Sequence, residues 1–119
     1  MSTQENHSHE RRFFRANADF PVTLIVPGHE LILTGTALDL SGGGMRVATS
    51  TDLPAGQPIM LRFVLPDGER ELLVRARIVL SFYDAAAKSF AHGIAFTQYT
   101  TQDHDEISAW TAKSQSAQA

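Results

Sequence analysis

The sequence predicts an all-β fold: a small six-stranded antiparallel β-barrel followed by a short C-terminal α-helix. Short apolar runs of strand length recur between residues 19 and 96, and several alternate apolar with polar residues. Clusters of Gly, Pro and Asp separate these runs at short intervals, which is typical of antiparallel strands joined by tight turns. A closed barrel is favoured over an open sheet because closure leaves no strand edge exposed.

The first three strands are predicted at residues 19–26, 31–40 and 45–48. Pro21 lies near the start of the first strand, where a missing N–H is tolerated. Residues 27–30 (PGHE) form the first turn. Gly35 lies inside the second strand and predicts a bulge or a bend there. Three consecutive glycines, residues 42–44, form the turn before the third strand.

The other three strands are predicted at residues 58–65, 70–83 and 90–96. Residues 66–69 (PDGE) are a strong turn signal between the fourth and fifth strands. The fifth strand alternates most clearly, with Leu73, Arg75, Arg77 and Val79 on one face and Val74, Ala76, Ile78 and Leu80 on the other. His92 of the sixth strand, beside Gly93, is interpreted as a structural histidine.

A helix is predicted to begin at residues 101–106. Asp103 and Glu106 are spaced as an N-cap and its N3 partner, and acidic side chains suit the positive end of a helix. Ile107 and Trp110 share one helical face and are expected to lie against the barrel. From Lys113 the sequence becomes polar.

The composition predicts one domain. The 119 residues are assigned to a domain at residues 10–112 with disordered tails at residues 1–9 and 113–119, which are mostly polar. The absence of cysteine excludes a disulfide framework and a thiolate metal site. No apolar run approaches the ~18 residues that a membrane span requires, and no signal-peptide pattern is visible. A cytoplasmic protein without membrane insertion is therefore expected.

The charge distribution argues against binding to long nucleic acids. The sequence has ten Lys and Arg residues and thirteen Asp and Glu residues, which gives a net charge of −3. Duplex-binding proteins usually present a broad basic face, because phosphate neutralisation dominates their affinity. Here three of the ten basic residues fall within residues 11–15. This local concentration suits a small dianionic ligand better.

Two short motifs contain the best candidates for ligand binding. Arg11 and Arg15 form an R-x-x-x-R segment before the first strand, and arginine binds phosphates and the O6/N7 edge of guanine bidentately. Asp39, Ser41 and Gly44 form D-x-S-x-x-G at the glycine-rich turn, where another molecule could approach the backbone closely. Taken alone, this turn would also fit a flexible hairpin in which Asp39 and Ser41 stabilise the backbone.

Together, in this order and at this separation, the two motifs closely resemble those of the PilZ domain, over roughly residues 10–112. The resemblance implies a non-enzymatic receptor for the bacterial second messenger cyclic di-GMP. It implies that Arg11 and Arg15 hold phosphate and the guanine Hoogsteen edge, and that Asp39 accepts hydrogen bonds from guanine N1–H and N2–H. Ser41 would bond the base or a phosphate, and Gly44 would keep the approach clear.

Three further residues, Arg12, Gly43 and Arg46, complete the predicted binding set. Arg46 could help to neutralise phosphate, although an arginine in a strand is most simply part of a solvated face. In PilZ relatives an arginine just before R-x-x-x-R favours an intercalated ligand pair. Here that residue is Glu10, which would repel added phosphates, so one ligand per chain is expected, although Arg12 nearby carries the opposite charge.

No catalytic residue, metal or cofactor is expected. Ser41 lacks the strand-to-helix elbow that a serine nucleophile requires, and no P-loop motif is present. The receptor would instead signal through an unidentified effector protein, with the ligand ordering the N-terminal segment. The alternative is a PilZ-like module that binds proteins and no nucleotide.

Overall fold

The computed structural model describes residues 15–118, with side chains as far as residue 114. Its elements are β1 (Ala16–Val26), β2 (Leu31–Ser41), β3 (Gly44–Thr49), β4 (Pro58–Val64), β5 (Glu71–Asp84), β6 (Ser89–Gln98) and α1 (Thr101–Gln118). The strands form a closed antiparallel barrel in the order β1-β2-β3-β6-β5-β4, and β4 pairs with β1. The predicted six-stranded barrel with a C-terminal helix is confirmed.

The barrel interior is filled by alternate side chains from each strand. Val22, Leu24, Leu61, Val74 and Ile78 are all almost completely buried. Helix α1 adds to this core from one side of the barrel: Ile107 is fully buried. The ring of Trp110 meets that of Phe20 edge-on at 6.0 Å between centroids. The two predicted helix contacts are thus present.

The alternation of β5 breaks near its middle. Its register with β6 shifts between Ile78 and Leu80. An extra residue at such a bulge moves the following side chains to the opposite face. Leu80 is therefore 57 % exposed, although it was predicted to share a face with Ile78.

Gly35 lies in regular register with Val22 of β1, so the predicted bulge is not there. The β2 bulge lies instead between Ala37 and Asp39, in the pairing with β3. Gly35 is explained by a close approach, because a Cβ atom there would lie 2.7 Å from the carbonyl oxygen of Ala48.

The start of α1 also differs from the prediction. Thr100 is the N-cap, because its Oγ1 accepts a hydrogen bond of 3.0 Å from the backbone N–H of Asp103. Asp103 is buried in the first turn, and Arg70 donates hydrogen bonds to it and to Glu106, at 2.5 and 3.0 Å. These two acids therefore anchor the β4–β5 turn instead of forming an N-cap pair.

The helix continues to Gln118, past the boundary predicted at Lys113. The segment contains no Gly or Pro that would end a helix. The domain limits at residues 10 and 112 stay a prediction. Among the described residues, no helix is long and apolar enough to cross a membrane.

Candidate functional site: an arginine-rich cleft beside β2 and β3

The site is built around Asp39, near the end of β2. Asp39 pairs with Asn17 of β1 and with Arg46 of β3, and register shifts lie beside it in both pairings. Such bulges re-aim side chains at the rim of a barrel. The Asp39 side chain is only 4 % exposed, so its carboxylate needs partners within the protein.

Two arginines provide those partners. The backbone N–H of Arg46 donates to Asp39 Oδ1 at 3.1 Å, and its Nε–H donates to Oδ2 at 2.6 Å. Arg15 Nη1 lies 3.2 Å from Oδ1 and 3.1 Å from Oδ2. The Arg15 side chain is 61 % exposed and the Arg46 side chain is 52 % exposed. A buried carboxylate is thus covered by two guanidinium groups that solvent and a ligand can reach.

The glycine turn after Asp39 is held by several hydrogen bonds. Ser41 Oγ accepts from the N–H of Gly43 and donates to the carbonyl of Gly44, both at 3.3 Å. The N–H of Phe96 donates to the carbonyl of Gly43 at 2.9 Å. The Tyr99 hydroxyl donates to the carbonyl of Gly42 at 2.7 Å. Burial raises the pKa of Tyr99, so this hydroxyl keeps its proton at neutral pH. The turn is therefore a fixed feature of the barrel rim.

Gly44 is required by strand packing. A Cβ atom at this position would overlap the carbonyl oxygen of Ile94 on β6. Within the described part of the chain, the glycines with positive φ are Gly28 and Gly56, which lie in other turns. Gly44 is thus explained by the close approach of β3 and β6, while its expected role of leaving room for a ligand stays a prediction.

A cleft of about 490 Å³ opens beside this turn. Five residues of the predicted binding set line it: Arg15, Ser41, Gly43, Gly44 and Arg46. Asp39 lies behind Arg15 and Arg46 and contacts both. Arg11 and Arg12 of that set, and Glu10, lie outside the described residues.

The far wall of the cleft was not predicted. Val79 and Leu80 of β5 and Gly93 of β6 line it, and both β5 side chains are exposed. Gly93 is paired with Arg46 on one side and Leu80 on the other, so its missing side chain leaves a depression between them. The sequence does contain one indication of this exposed apolar wall. Residues 78–80 are three consecutive apolar residues, which strict alternation cannot place on one buried face.

His92, next to Gly93, has a structural role. It is fully buried. Its Nε2 lies 2.8 Å from Thr49 Oγ1 and 3.1 Å from the carbonyl of Thr51, and its Nδ1 lies 2.7 Å from Ser81 Oγ. Burial lowers the pKa of His92, which favours the neutral ring. The ring thus connects the loop after β3 to β5.

The fold and the cleft define a small closed β-barrel domain that presents a buried carboxylate under two arginines. A family profile described as the PilZ domain matches residues 9–113. The chain belongs to the PilZ domain family.

Solved structures agree with this assignment. The PilZ domain of CeSA from a cellulose-synthesizing bacterium is 30 % identical, with a TM-score of 0.61 over 78 % of this chain and 89 % of that one. The PilZ domain of YcgR from Escherichia coli, solved with cyclic di-GMP, is 15 % identical, with a TM-score of 0.66 over 90 % and 92 % of the two chains.

The Bacillus subtilis inhibitor of motility MotI/DgrA is 17 % identical, with a TM-score of 0.78 over 88 % of this chain. The chain spans about half, 51 %, of the length of MotI/DgrA. The low identity to YcgR and MotI/DgrA limits those likenesses to the fold. No curated protein sequence matches the chain significantly.

Proposed function

We propose that this chain is a non-catalytic receptor that binds cyclic di-GMP in the cleft beside β2 and β3. The observation that carries the proposal is the Asp39 carboxylate, buried behind Arg15 and Arg46 at the edge of that cleft. The relative YcgR has a PilZ domain that was solved with this ligand.

The cleft offers the chemistry that a cyclic dinucleotide needs. Guanidinium groups suit its phosphates and the O6/N7 edge of its bases, and the carboxylate suits guanine N1–H and N2–H. Val79 and Leu80, both exposed, provide apolar surface for the flat purines. A volume of about 490 Å³ lies in the range of sites that hold a small molecule.

Arg11 and Arg12 complete the proposed site from the N-terminal side. Arg15 already lines the cleft, and Arg11 is only four residues earlier in the sequence. Both arginines would therefore contact the same ligand. We propose that binding orders residues 11–15 over the cleft, because the phosphates and bases give these arginines shared partners. The ordered segment and ligand would then form a surface that an effector protein recognises.

One observation favours the alternative of a protein-interaction module that binds no nucleotide. Asp39 already receives hydrogen bonds from both Arg15 and Arg46 in this structure. In that alternative the three side chains only stabilise the barrel rim, and the glycine turn is a tightly held hairpin.

Calorimetric titration of the full chain with cyclic di-GMP distinguishes the two functions. The receptor should saturate at one ligand per chain, and Arg15→Ala and Asp39→Ala should each weaken binding by roughly ten- to a hundredfold. Arg62→Ala is the matched control, because Arg62 is a surface arginine of β4 paired with Glu71 at 3.6 Å. Absence of binding by the unmodified chain would support the interaction module. A large fall in Tm for Asp39→Ala would show that this carboxylate is mainly structural.

A further inference from the structure

The two arginines that contact Asp39 hold it in different ways. Arg46 lies directly opposite Asp39 in the β2–β3 register and binds one carboxylate oxygen with its backbone N–H and the other with its Nε–H. Arg15 immediately precedes β1 and reaches both oxygens with a single nitrogen, Nη1.

We propose that Arg46 is a positioning residue that holds the Asp39 carboxylate in the orientation needed to read guanine, and that the ligand takes the place of Arg15. This inference rests on the proposed function and assigns to Arg46 a role in base specificity in place of phosphate binding.

The two hydrogen bonds from Arg46 determine the orientation of the Asp39 carboxylate. Its two donors contact different oxygens, at 3.1 and 2.6 Å, so they restrain rotation about the end of the Asp39 side chain. The backbone donor is part of β3 and cannot move without moving that strand. Removing the half-exposed Arg46 side chain would leave Asp39 Oδ2 to mobile water, which cannot fix the orientation of the carboxylate as the guanidinium does.

The remaining capacity of the carboxylate matches guanine. An ionised carboxylate has about four lone-pair sites. Arg46 uses one on each oxygen, which leaves one on each for the two contacts that Arg15 Nη1 now makes. Guanine N1–H and N2–H are two adjacent donors, so they can supply one hydrogen bond to each oxygen. A guanine can therefore take the two positions that Arg15 Nη1 occupies at Asp39, and the Arg15 guanidinium would then contact a phosphate.

The test compares cyclic di-GMP with cyclic di-IMP, which lacks only the two exocyclic amino groups. Both ligands are titrated into the unmodified full chain and into Arg46→Ala, Arg46→Lys and Arg62→Ala. Arg46→Ala keeps the backbone N–H at position 46, so its hydrogen bond to Asp39 Oδ1 remains possible. Tm reports whether each variant folds.

The unmodified chain should prefer cyclic di-GMP by about tenfold or more, the effect of a hydrogen bond to a charged group. Arg46→Ala should lose most of this preference, with cyclic di-IMP affinity changed much less. Arg46→Lys should behave similarly, because an ammonium lacks the planar Nε–H donor. Arg62→Ala should retain the preference.

Equal loss of affinity for both ligands in Arg46→Ala, restored by Arg46→Lys, would overturn the inference and make Arg46 a phosphate ligand. An unchanged preference in Arg46→Ala would also overturn it. Failure of the unmodified chain to bind cyclic di-GMP would overturn the proposed function, and this inference with it.

Discussion

Tyr99 donates a hydrogen bond of 2.7 Å from its hydroxyl to the carbonyl of Gly42, 57 residues earlier in the chain. Tyr99 lies between β6 and α1, and Gly42 lies in the turn between β2 and β3. The bond therefore links the start of the helix to the turn that borders the cleft.

Tyr99→Phe should lower the free energy of unfolding by about 1 kcal/mol, because it removes this one hydrogen bond and keeps the ring. Urea denaturation measures the change. Tyr83→Phe is the control, since Tyr83 is 56 % exposed on β5 and should tolerate the change. Equal effects of the two substitutions would show that the Tyr99 hydroxyl does not hold the turn.

Gly44→Ala should destabilise the barrel by about 1–3 kcal/mol, the usual cost of overpacking. The new methyl group would overlap the carbonyl oxygen of Ile94, so β3 and β6 would have to separate. Thermal and urea unfolding measure the loss. A variant as stable as the parent chain would mean that the two strands can move apart at little cost.

Gly93→Ala is the matched substitution on the neighbouring strand, and we expect it to affect binding more than stability. Its methyl group would lie 3.6 Å from Leu80 Cβ, an ordinary contact, so the free energy of unfolding should change by less than about 0.5 kcal/mol. The methyl group would partly fill the depression between Arg46 and Leu80. Cyclic di-GMP titration should therefore show reduced affinity, and full affinity would place the ligand elsewhere.

The stability of the barrel should fall as the pH drops below the ordinary histidine pKa of about 6.5. Burial lowers the pKa of His92 in the folded state, so over the range between its folded and unfolded pKa values the unfolded chain binds more protons. Stability linked to His92 is therefore fully present above the unfolded pKa and is lost as the pH falls toward the folded one.

Urea unfolding between pH 7.5 and 5 measures this dependence. His92→Gln should flatten it, while His29→Gln should not, because His29 lies in the exposed β1–β2 turn. The His92 explanation is wrong if both variants keep the slope of the parent chain.

Ligand binding should restrict the motion of residues 11–15 on the ns timescale. Ordering costs about 1–2 kcal/mol for each backbone residue fixed, so only a short stretch should be affected and residues 1–8 should not change. Backbone NMR relaxation with and without cyclic di-GMP measures this. If residues 11–15 have the same order parameters in both states, the signal must reach the effector through another surface.

Much of the fold was predictable because its causes are local in the chain. Strand positions follow from apolar runs and from turns such as residues 66–69. The errors lie where distant strands meet. The bulge beside Leu80 depends on how β5 aligns with β6, and Gly35 depends on the backbone of Ala48. Asp103 was taken for an N-cap because its partner Arg70 lies 33 residues away.

The sequence by itself determined the family, the barrel and one side of the candidate site. Arg15, Asp39, Ser41 and Gly44 belong to two short motifs whose spacing can be read directly, since each motif lies within a few consecutive residues. Only the tertiary structure decided that Arg46 donates hydrogen bonds to Asp39 and that Leu80 and Gly93 form the opposite wall of the cleft. These relationships depend on strand register, which arises from the closure of the whole barrel. Register between distant strands cannot be read from the spacing of residues within one segment.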